Sequence, residues 1–210
     1  METTIHPAIP VMSAGFFQIS SMAKIAKIGI SDCFSEYKIN LLSQIINQKE
    51  YILREIAGKK IAFFHAEENA VANNPTHFSD LIKKVKSESD YLIFYIDWNN
   101  LVQVDARKEL ARYIVDSGVD IIFGNRAGDF PPLEIYNGKV IFYSSGRISD
   151  ENCPGVITGM ILDDGKEKFY FFPYEYQEGK LTFLSYERSL SFCSDFIGNN
   201  QDKIPCFFEK

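Results

Sequence analysis

The chain has 210 residues, 46% of them apolar, with 18 Phe and 11 Tyr, and this composition predicts a single domain over residues 1–210 with a sizeable core. Its formal net charge of −6 and scattered basic residues argue against nucleic-acid binding, because phosphate contacts need clustered Lys and Arg. No apolar run reaches membrane-spanning length. The four cysteines show no CxxC pairing, which favours buried or idle thiols in a reducing, cytoplasmic setting.

The first elements in chain order are a helix and a hairpin. Apolar residues at helical spacing predict an amphipathic helix over residues 36–47. The pattern of residues 52–56 and 60–64 predicts two strands joined by a turn at Ala57-Gly58. A continuous helix through Glu55 is the alternative for this second segment.

The middle of the chain has the pattern of a βαβ unit. A helix begins near Thr76, and residues 91–96 form an apolar run that is typical of a strand buried on both faces. Residues 105–117 predict a second helix that ends at Gly118, and residues 120–123 predict another buried strand.

The last third of the chain predicts antiparallel hairpins. Strand-like segments over residues 134–136, 139–143, 156–162, 168–172 and 181–186 alternate with the turn dipeptides Asn-Gly, Asp-Gly and Glu-Gly. The tail at residues 189–210 has a weak pattern, and we expect it to be peripheral and to pack either loosely or through Phe192, Phe196 and Phe207.

Chemistry is expected in two loops, because functional groups of α/β sheets usually follow the carboxyl ends of strands. The first loop begins Asp97-Trp98-Asn99 after the strand at residues 91–96. The second loop runs over residues 124–136 and contains Asn125, Arg126 and Asp129.

These loops resemble the CapA family of poly-gamma-glutamate capsule synthesis proteins, whose fold is similar to that of calcineurin-type metallophosphoesterases. In that family one strand ends in His-Trp-Gly, and a later strand is followed by Gly-His-His-Pro-His, Glu-x-Tyr-x-Gly-Lys and Tyr-Ser-Leu-Gly-Asn. The same frame stands in this chain, in order, at Trp98, Gly118, Asp120, Gly124, Glu134, Tyr136, Gly138, Lys139, Tyr143, Ser144 and Gly146.

The resemblance covers residues 49–162 and implies a fold. That fold is an α/β metallophosphoesterase-like sandwich of βαβ units followed by antiparallel hairpins. The earlier family motifs would fall before Lys49, so the resemblance also implies a domain that is truncated at its N-terminus.

The departures from the family frame bear on mechanism. Asp97 replaces the His of His-Trp-Gly, and Asn125, Arg126, Ala127 and Gly128 replace the last four residues of Gly-His-His-Pro-His. A guanidinium cannot ligate a metal, and its permanent positive charge opposes a bound cation. We therefore predict no cofactor; the alternative is a weak divalent ion such as Mg²⁺ or Mn²⁺, held by Asp97 and Asp129. An internal salt bridge between Asp97 and Arg126 is the favoured arrangement.

A second polar cluster is visible at the end of the strand near residue 64. His65, Glu67 and Glu68 lie close together there, and His77 lies a few residues further on. We interpret the acids as solvated turn residues. Ser144 and Ser145 precede Gly146 but lack a GxSxG elbow, so a structural turn is favoured over a nucleophile.

These observations leave three hypotheses. The first is a diverged, catalytically inactive CapA-like protein that acts as a binding or accessory protein. The second is a repurposed hydrolase that acts on an anionic substrate, phosphoester or polyglutamate-like, through Asp97, Asp129 and Arg126. The third is that a second copy, or a partner chain, completes the N-terminal half by covering an exposed sheet edge.

Overall fold

The computed structural model describes residues 9–12, 51–56, 58–98, 104–124, 133–144, 155–163, 166–177 and 180–198. The strands are β1 (Ile9–Met12), β2 (Tyr51–Ile56), β3 (Lys59–Glu67), β4 (Tyr91–Asp97), β5 (Ile121–Gly124), β6 (Leu133–Tyr136), β7 (Lys139–Phe142), β8 (Gly155–Asp163), β9 (Lys166–Gln177) and β10 (Lys180–Phe183). The helices are α1 (Glu68–Asn73), α2 (Pro75–Ser87), α3 (Val104–Asp116) and α4 (Tyr186–Ile197). The helix predicted over residues 36–47 lies outside the described residues.

The larger sheet has the strand order β2-β3-β4-β5-β7-β6. Its centre is parallel, because β3 pairs with β4, β4 with β5 and β5 with β7 in the same direction. The edge strands β2 and β6 are antiparallel to their neighbours. The hairpin prediction for residues 52–64 is therefore confirmed over the alternative of a continuous helix.

The two helices that cross between parallel strands begin within one residue of their predicted starts at Thr76 and Asp105. Pro75 occupies the first turn of α2, where its missing N–H costs no hydrogen bond. After α3 the chain reverses at Gly118, whose φ of +120° is a conformation that residues with a side chain rarely adopt. Both helices pack on one face of the sheet, where Ile82, Val85 and Ile114 are fully buried.

The smaller sheet is antiparallel, with the order β1-β8-β9-β10. Strand β1 lies at its edge and contains Pro10, which an edge strand tolerates because one side of it needs no ladder hydrogen bonds. Buried residues of this sheet, such as Phe169 and Phe171, join Phe123 and Phe142 of the larger sheet in one apolar cluster. The predicted α/β sandwich of βαβ units followed by hairpins is confirmed.

The largest difference from the sequence prediction concerns the region after residue 183. The sequence pattern predicts a strand that includes Tyr186 and a peripheral tail at residues 189–210, but Tyr186–Ile197 forms helix α4. Its core-facing positions are Ser189, Cys193, Phe196 and Ile197, which are all buried. The strand prediction is wrong at Tyr186, and the pattern does not reveal helix α4 because Ser and Cys occupy two of the four buried positions and so hide the apolar periodicity. The expected packing of the tail through Phe192 and Phe196 is confirmed, since Phe196 is buried and Phe192 packs against the same cluster.

Cys193 is buried, as one half of the prediction of buried or idle thiols has it, but it is not a thiol. It is fully buried and disulfide-bonded. The other three cysteines, Cys33, Cys153 and Cys206, lie outside the described residues, so its partner is one of them. Separately, the helices among the described residues are all too short or too polar to cross a membrane.

Candidate functional site

The site predicted from the sequence lies at the carboxyl edge of the larger sheet. Strands β3, β4 and β5 run parallel and end together, so that Glu67 is paired with Asp97 and Ile96 is paired with Gly124. Asp97 is half-buried at the last position of β4. Asn125, Arg126 and Asp129 lie outside the described residues, and their convergence with Asp97 stays a prediction.

Three residues of the family frame pack tightly beneath this edge. Trp98 is fully buried, and its indole ring lies 6.0 Å from the ring of Tyr143. A Cβ atom added to Gly124 would overlap the Trp98 indole nitrogen and lie 2.6 Å from the Tyr143 carbonyl oxygen. Only glycine fits between these two residues, so Gly124 positions the strand end rather than supplying chemistry.

Tyr143 connects this packing to two further residues. Its hydroxyl donates a hydrogen bond of 2.7 Å to the carboxylate of Glu134, which also pairs with the Arg112 guanidinium at 2.7 Å. Burial, and secondly the hydrogen bond to Glu134, hold the pKa of Tyr143 well above its ordinary value. The phenol therefore stays protonated and acts as a fixed donor.

Asp120 forms a second structural node of the frame. Its carboxylate accepts the backbone N–H of Leu92 at 2.8 Å and pairs with Lys86 at 2.5 Å and Lys139 at 2.7 Å. These contacts tie the start of β5 to β4, to the end of α2 and to β7. Together with Gly124 and Tyr143, they show that the retained frame residues hold the scaffold in place.

A polar group lies on one face of the sheet at the ends of β3 and β4. His65, Glu67, Tyr95 and Asp97 alternate with buried residues and so share that face. The His65 ring lies 5.4 Å from the Tyr95 ring in a stacked arrangement. Desolvation by burial lowers the pKa of His65, and the negative charges of Asp97 and Glu67 oppose this effect.

The geometry of this group does not match a metal centre. Among the described residues, no three His, Cys, Asp or Glu side chains are arranged to hold a metal ion. His77, considered with His65 from the sequence, is exposed on α2 and lies against Phe78. What the group offers is a neutral imidazole beside two carboxylates, an arrangement suited to hydrogen bonding.

Sequence reasoning missed a buried ion pair at the same edge. The sequence pattern predicts that Glu68 is a solvated acid like Glu67, but Glu68 is fully buried while Glu67 is exposed. Its carboxylate lies 3.2 Å from Nε of Arg107, and the Arg107 guanidinium lies 5.4 Å from the centre of the Trp98 ring. The pair therefore ties the start of α1 to α3 and to the residue that follows Asp97.

One signal in the sequence points to this pair. Arg107 precedes Ala111, Ile114 and Val115 at intervals of four, seven and eight residues, which places it on the buried face of α3. An arginine on an apolar helix face needs a partner, since burial of an unpaired charge is costly. The identity of that partner is not visible in the sequence.

The half-buried imidazole of His65 leads to a prediction about pH. Because its folded-state pKa lies below the ordinary value of 6.5, the unfolded chain binds the proton more readily. The free energy of unfolding is therefore not affected by protonation of this histidine above about pH 6.5, and it decreases as the pH falls below that value. Urea unfolding of the wild type and of His65→Gln between about pH 7.5 and 5 should show a shallower pH dependence in the variant.

His77→Gln is the matched control for this measurement, since His77 is the exposed histidine of α2. Its pH dependence should follow that of the wild type. Parallel curves for the wild type and His65→Gln would contradict the prediction.

Comparison with known proteins supports the family resemblance. The profile of the family described as "Bacterial capsule synthesis protein PGA_cap" matches residues 23–150. This match begins upstream of residue 49, where the resemblance from motifs alone begins. It includes the edge that carries Asp97 and the second loop.

Two individual proteins are similar to parts of the chain. The "PGA biosynthesis protein CapA" of Bacillus subtilis (strain 168) is 32% identical over 96 residues, which are 44% of this chain and 25% of that protein. The chain thus spans about a quarter of the length of this relative. A solved structure of a hypothetical protein from Thermus thermophilus has a TM-score of 0.44 and 11% identity, covering 61% of this chain and 63% of that one.

Proposed function

We propose that this chain, which belongs to the bacterial capsule synthesis protein family PGA_cap, is a binding or accessory protein of capsule synthesis that has lost the family's metal-dependent chemistry. The observation that carries the proposal is the replacement of the metal-ligand histidines. Asp97 stands where the family has the His of His-Trp-Gly, and Asn125, Arg126 and Gly128 stand where it has the three His of Gly-His-His-Pro-His. Arg126 adds a permanent positive charge that disfavours a cation.

The family residues that this chain retains also support the proposal, because their role is structural. Four retained residues form one packed group at the edge of the sheet. Trp98 and Gly124 both contact Tyr143, and the Tyr143 hydroxyl donates a hydrogen bond to Glu134. A well-packed edge without histidine ligands suits a surface that binds rather than cleaves. An anionic ligand, such as a polyglutamate-like peptide, fits Arg126, because a guanidinium binds carboxylates in bidentate fashion.

Metal analysis and an activity assay test this proposal. The purified chain is incubated with Zn²⁺, Mn²⁺ or Mg²⁺, passed through a desalting column and analysed for bound metal. Hydrolysis of a generic phosphodiester is measured on the same samples. We expect metal well below one equivalent and no turnover above the buffer rate. Stoichiometric metal, or turnover that scales with protein concentration, would overturn the proposal.

A second candidate is a repurposed hydrolase for an anionic substrate. One observation favours it, because Glu67 and Asp97 are register neighbours and place two carboxylates at the edge. In this version Asp97 and Asp129 act as acid, base or ligands of a weakly held Mg²⁺ or Mn²⁺, and Arg126 holds the substrate.

Substitution of Asp97 separates the two candidates. If the hydrolase candidate is correct, Asp97→Asn abolishes turnover of a polyglutamate or phosphoester substrate while the thermal midpoint stays close to that of the wild type. Asp80→Asn, an exposed acid on α2, is the matched control and should retain activity. A variant that is only less stable, in a protein without turnover, supports the binding role.

Self-association is a further proposal about partners. Within the described residues β2 and β6 are the edge strands of the larger sheet, and proteins normally cover or blunt such edges. A second copy or a partner chain would pair with one of them. Sedimentation velocity over a wide concentration range should then show a concentration-dependent species larger than 24.0 kDa. A monomer at every concentration argues against pairing of two copies.

A further inference from the structure

Helix α4 is held in the core by a covalent bond as well as by packing. Cys193 has no solvent exposure and belongs to the apolar cluster that joins the two sheets, together with Phe142, Phe171 and Phe196. It is disulfide-bonded to a cysteine outside the described residues. From this we infer that the Cys193 disulfide is a structural lock on α4 and that the chain matures in an oxidising compartment.

The non-covalent contacts of α4 show what the lock secures. At its start, Ser185 caps the helix and Arg188 pairs with both carboxylate oxygens of Glu175 on β9, at 2.8 and 3.1 Å. Near its end, the Phe196 ring lies 5.5 Å from Phe171. The Arg188–Glu175 ion pair is largely exposed to solvent and adds little stability, so the buried residues near the end of α4 hold the helix on the core. A cross-link at Cys193 falls among these buried residues.

Formation of a disulfide needs an oxidant, and this requirement indicates the kind of compartment in which the chain matures. Two thiols form one disulfide by losing two protons and two electrons, and a disulfide of another dithiol protein accepts the electrons and becomes reduced. Cytosolic thiol pools keep such pairs reduced, whereas secreted and extracytoplasmic chains retain them. The expectation of a reducing setting relied on idle thiols, and Cys193 is not one of them.

Burial of Cys193 has a kinetic consequence. A reductant must approach one of the two sulfurs in line to attack it, and the fully buried Cys193 sulfur offers no access in the folded chain. Attack at Cys193 therefore requires opening of α4 or global unfolding. We expect the bond to be reduced more slowly in native buffer than in denaturant.

The first experiment is a thiol map of the full chain. The protein is taken from the cells that make it under an acid quench, alkylated in denaturant without reductant, digested and analysed by mass spectrometry. We expect Cys193 in a peptide linked to one of Cys33, Cys153 or Cys206. Complete alkylation of Cys193 in this sample would overturn the inference.

The second experiment measures the stability of oxidised and reduced protein. Reduction in denaturant followed by refolding with reductant should lower the thermal midpoint by about 5–15 °C. Cys193→Ala should unfold near the midpoint of the reduced wild type and should no longer respond to reductant. The matched control is Cys→Ala at a cysteine that the map shows to be unlinked, and its response to reductant should equal that of the wild type.

The comparison remains decisive if Cys193→Ala fails to fold, because the oxidised and reduced wild type supply the same contrast without a substitution. Equal midpoints for the two wild-type samples would overturn the role as a lock. A bond that is reduced in native buffer as fast as in denaturant would contradict the protection expected from the buried Cys193 sulfur.

Discussion

Replacing Arg107 by methionine is expected to lower the free energy of unfolding by about 3–5 kcal/mol, the cost typical of breaking a buried ion pair from one side. The substitution leaves the Glu68 carboxylate in a fully buried position while removing the guanidinium 3.2 Å away. It also removes the cation that lies 5.4 Å from the Trp98 ring. Urea unfolding monitored by tryptophan fluorescence and by circular dichroism measures the loss.

Two further variants at this pair separate charge from packing. The double variant Glu68→Leu with Arg107→Met should recover most of the loss, because a well-packed apolar pair often equals a buried ion pair in stability. Arg107→Lys keeps the charge but loses the planar group over Trp98, and an intermediate loss is expected.

Arg112→Met is the matched control on the same helix. Arg112 also pairs with a glutamate, Glu134, and also lies over an aromatic ring, Tyr136, at 5.3 Å. Its side chain is 44% exposed, whereas that of Arg107 is 6% exposed, so its loss should be much smaller. Equal losses for Arg107→Met and Arg112→Met would show that burial does not set the cost.

Gly124→Ala is expected to destabilise the fold by about 3 kcal/mol or more, at the upper end of the cost of overpacking. The new methyl group would overlap the Trp98 indole and lie 2.6 Å from the Tyr143 carbonyl oxygen. The carbonyl belongs to the backbone just past β7, so the methyl cannot be accommodated by a change of rotamer. The free energy of unfolding from urea titration measures the effect.

A double-mutant cycle identifies the group responsible. Trp98→Phe removes the indole nitrogen that a methyl at Gly124 would overlap, so the two substitutions together should cost less than the sum of their separate losses. Gly58→Asn is the matched control, since its φ of +75° suits asparagine and no atom lies within 4 Å of an added Cβ. A near-neutral Gly124→Ala, or strict additivity with Trp98→Phe, would contradict the packing argument.

The outcomes at Arg107 and Gly124 also bear on the proposed function. Both residues support Trp98, which directly follows Asp97, the residue proposed to replace a metal ligand. If the edge of the sheet is a binding surface, these variants should weaken ligand binding through stability alone. Asp97→Asn separates the two candidates, because lost turnover with an unchanged thermal midpoint indicates the hydrolase, and lower stability in a protein without turnover supports the binding role.

The sequence determined the elements whose signals are local. The uninterrupted apolar run of β4 and the turn at Asn137-Gly138, where both residues have positive φ, depend on residues next to one another along the chain. The family frame from Trp98 to Tyr143 was equally visible, because its spacing follows from the lengths of α3, β5 and the β6–β7 hairpin.

Only the tertiary structure decided which charged residues are buried and which residues of α4 lie in the core. Glu67 and Glu68 are adjacent in sequence, yet one is exposed and the other is fully buried against Arg107, 39 residues away. Cys193 is likewise a core residue only because two sheets close over α4. Local pattern reports which residues are apolar, but a buried charge or thiol depends on a distant partner that only the folded chain supplies.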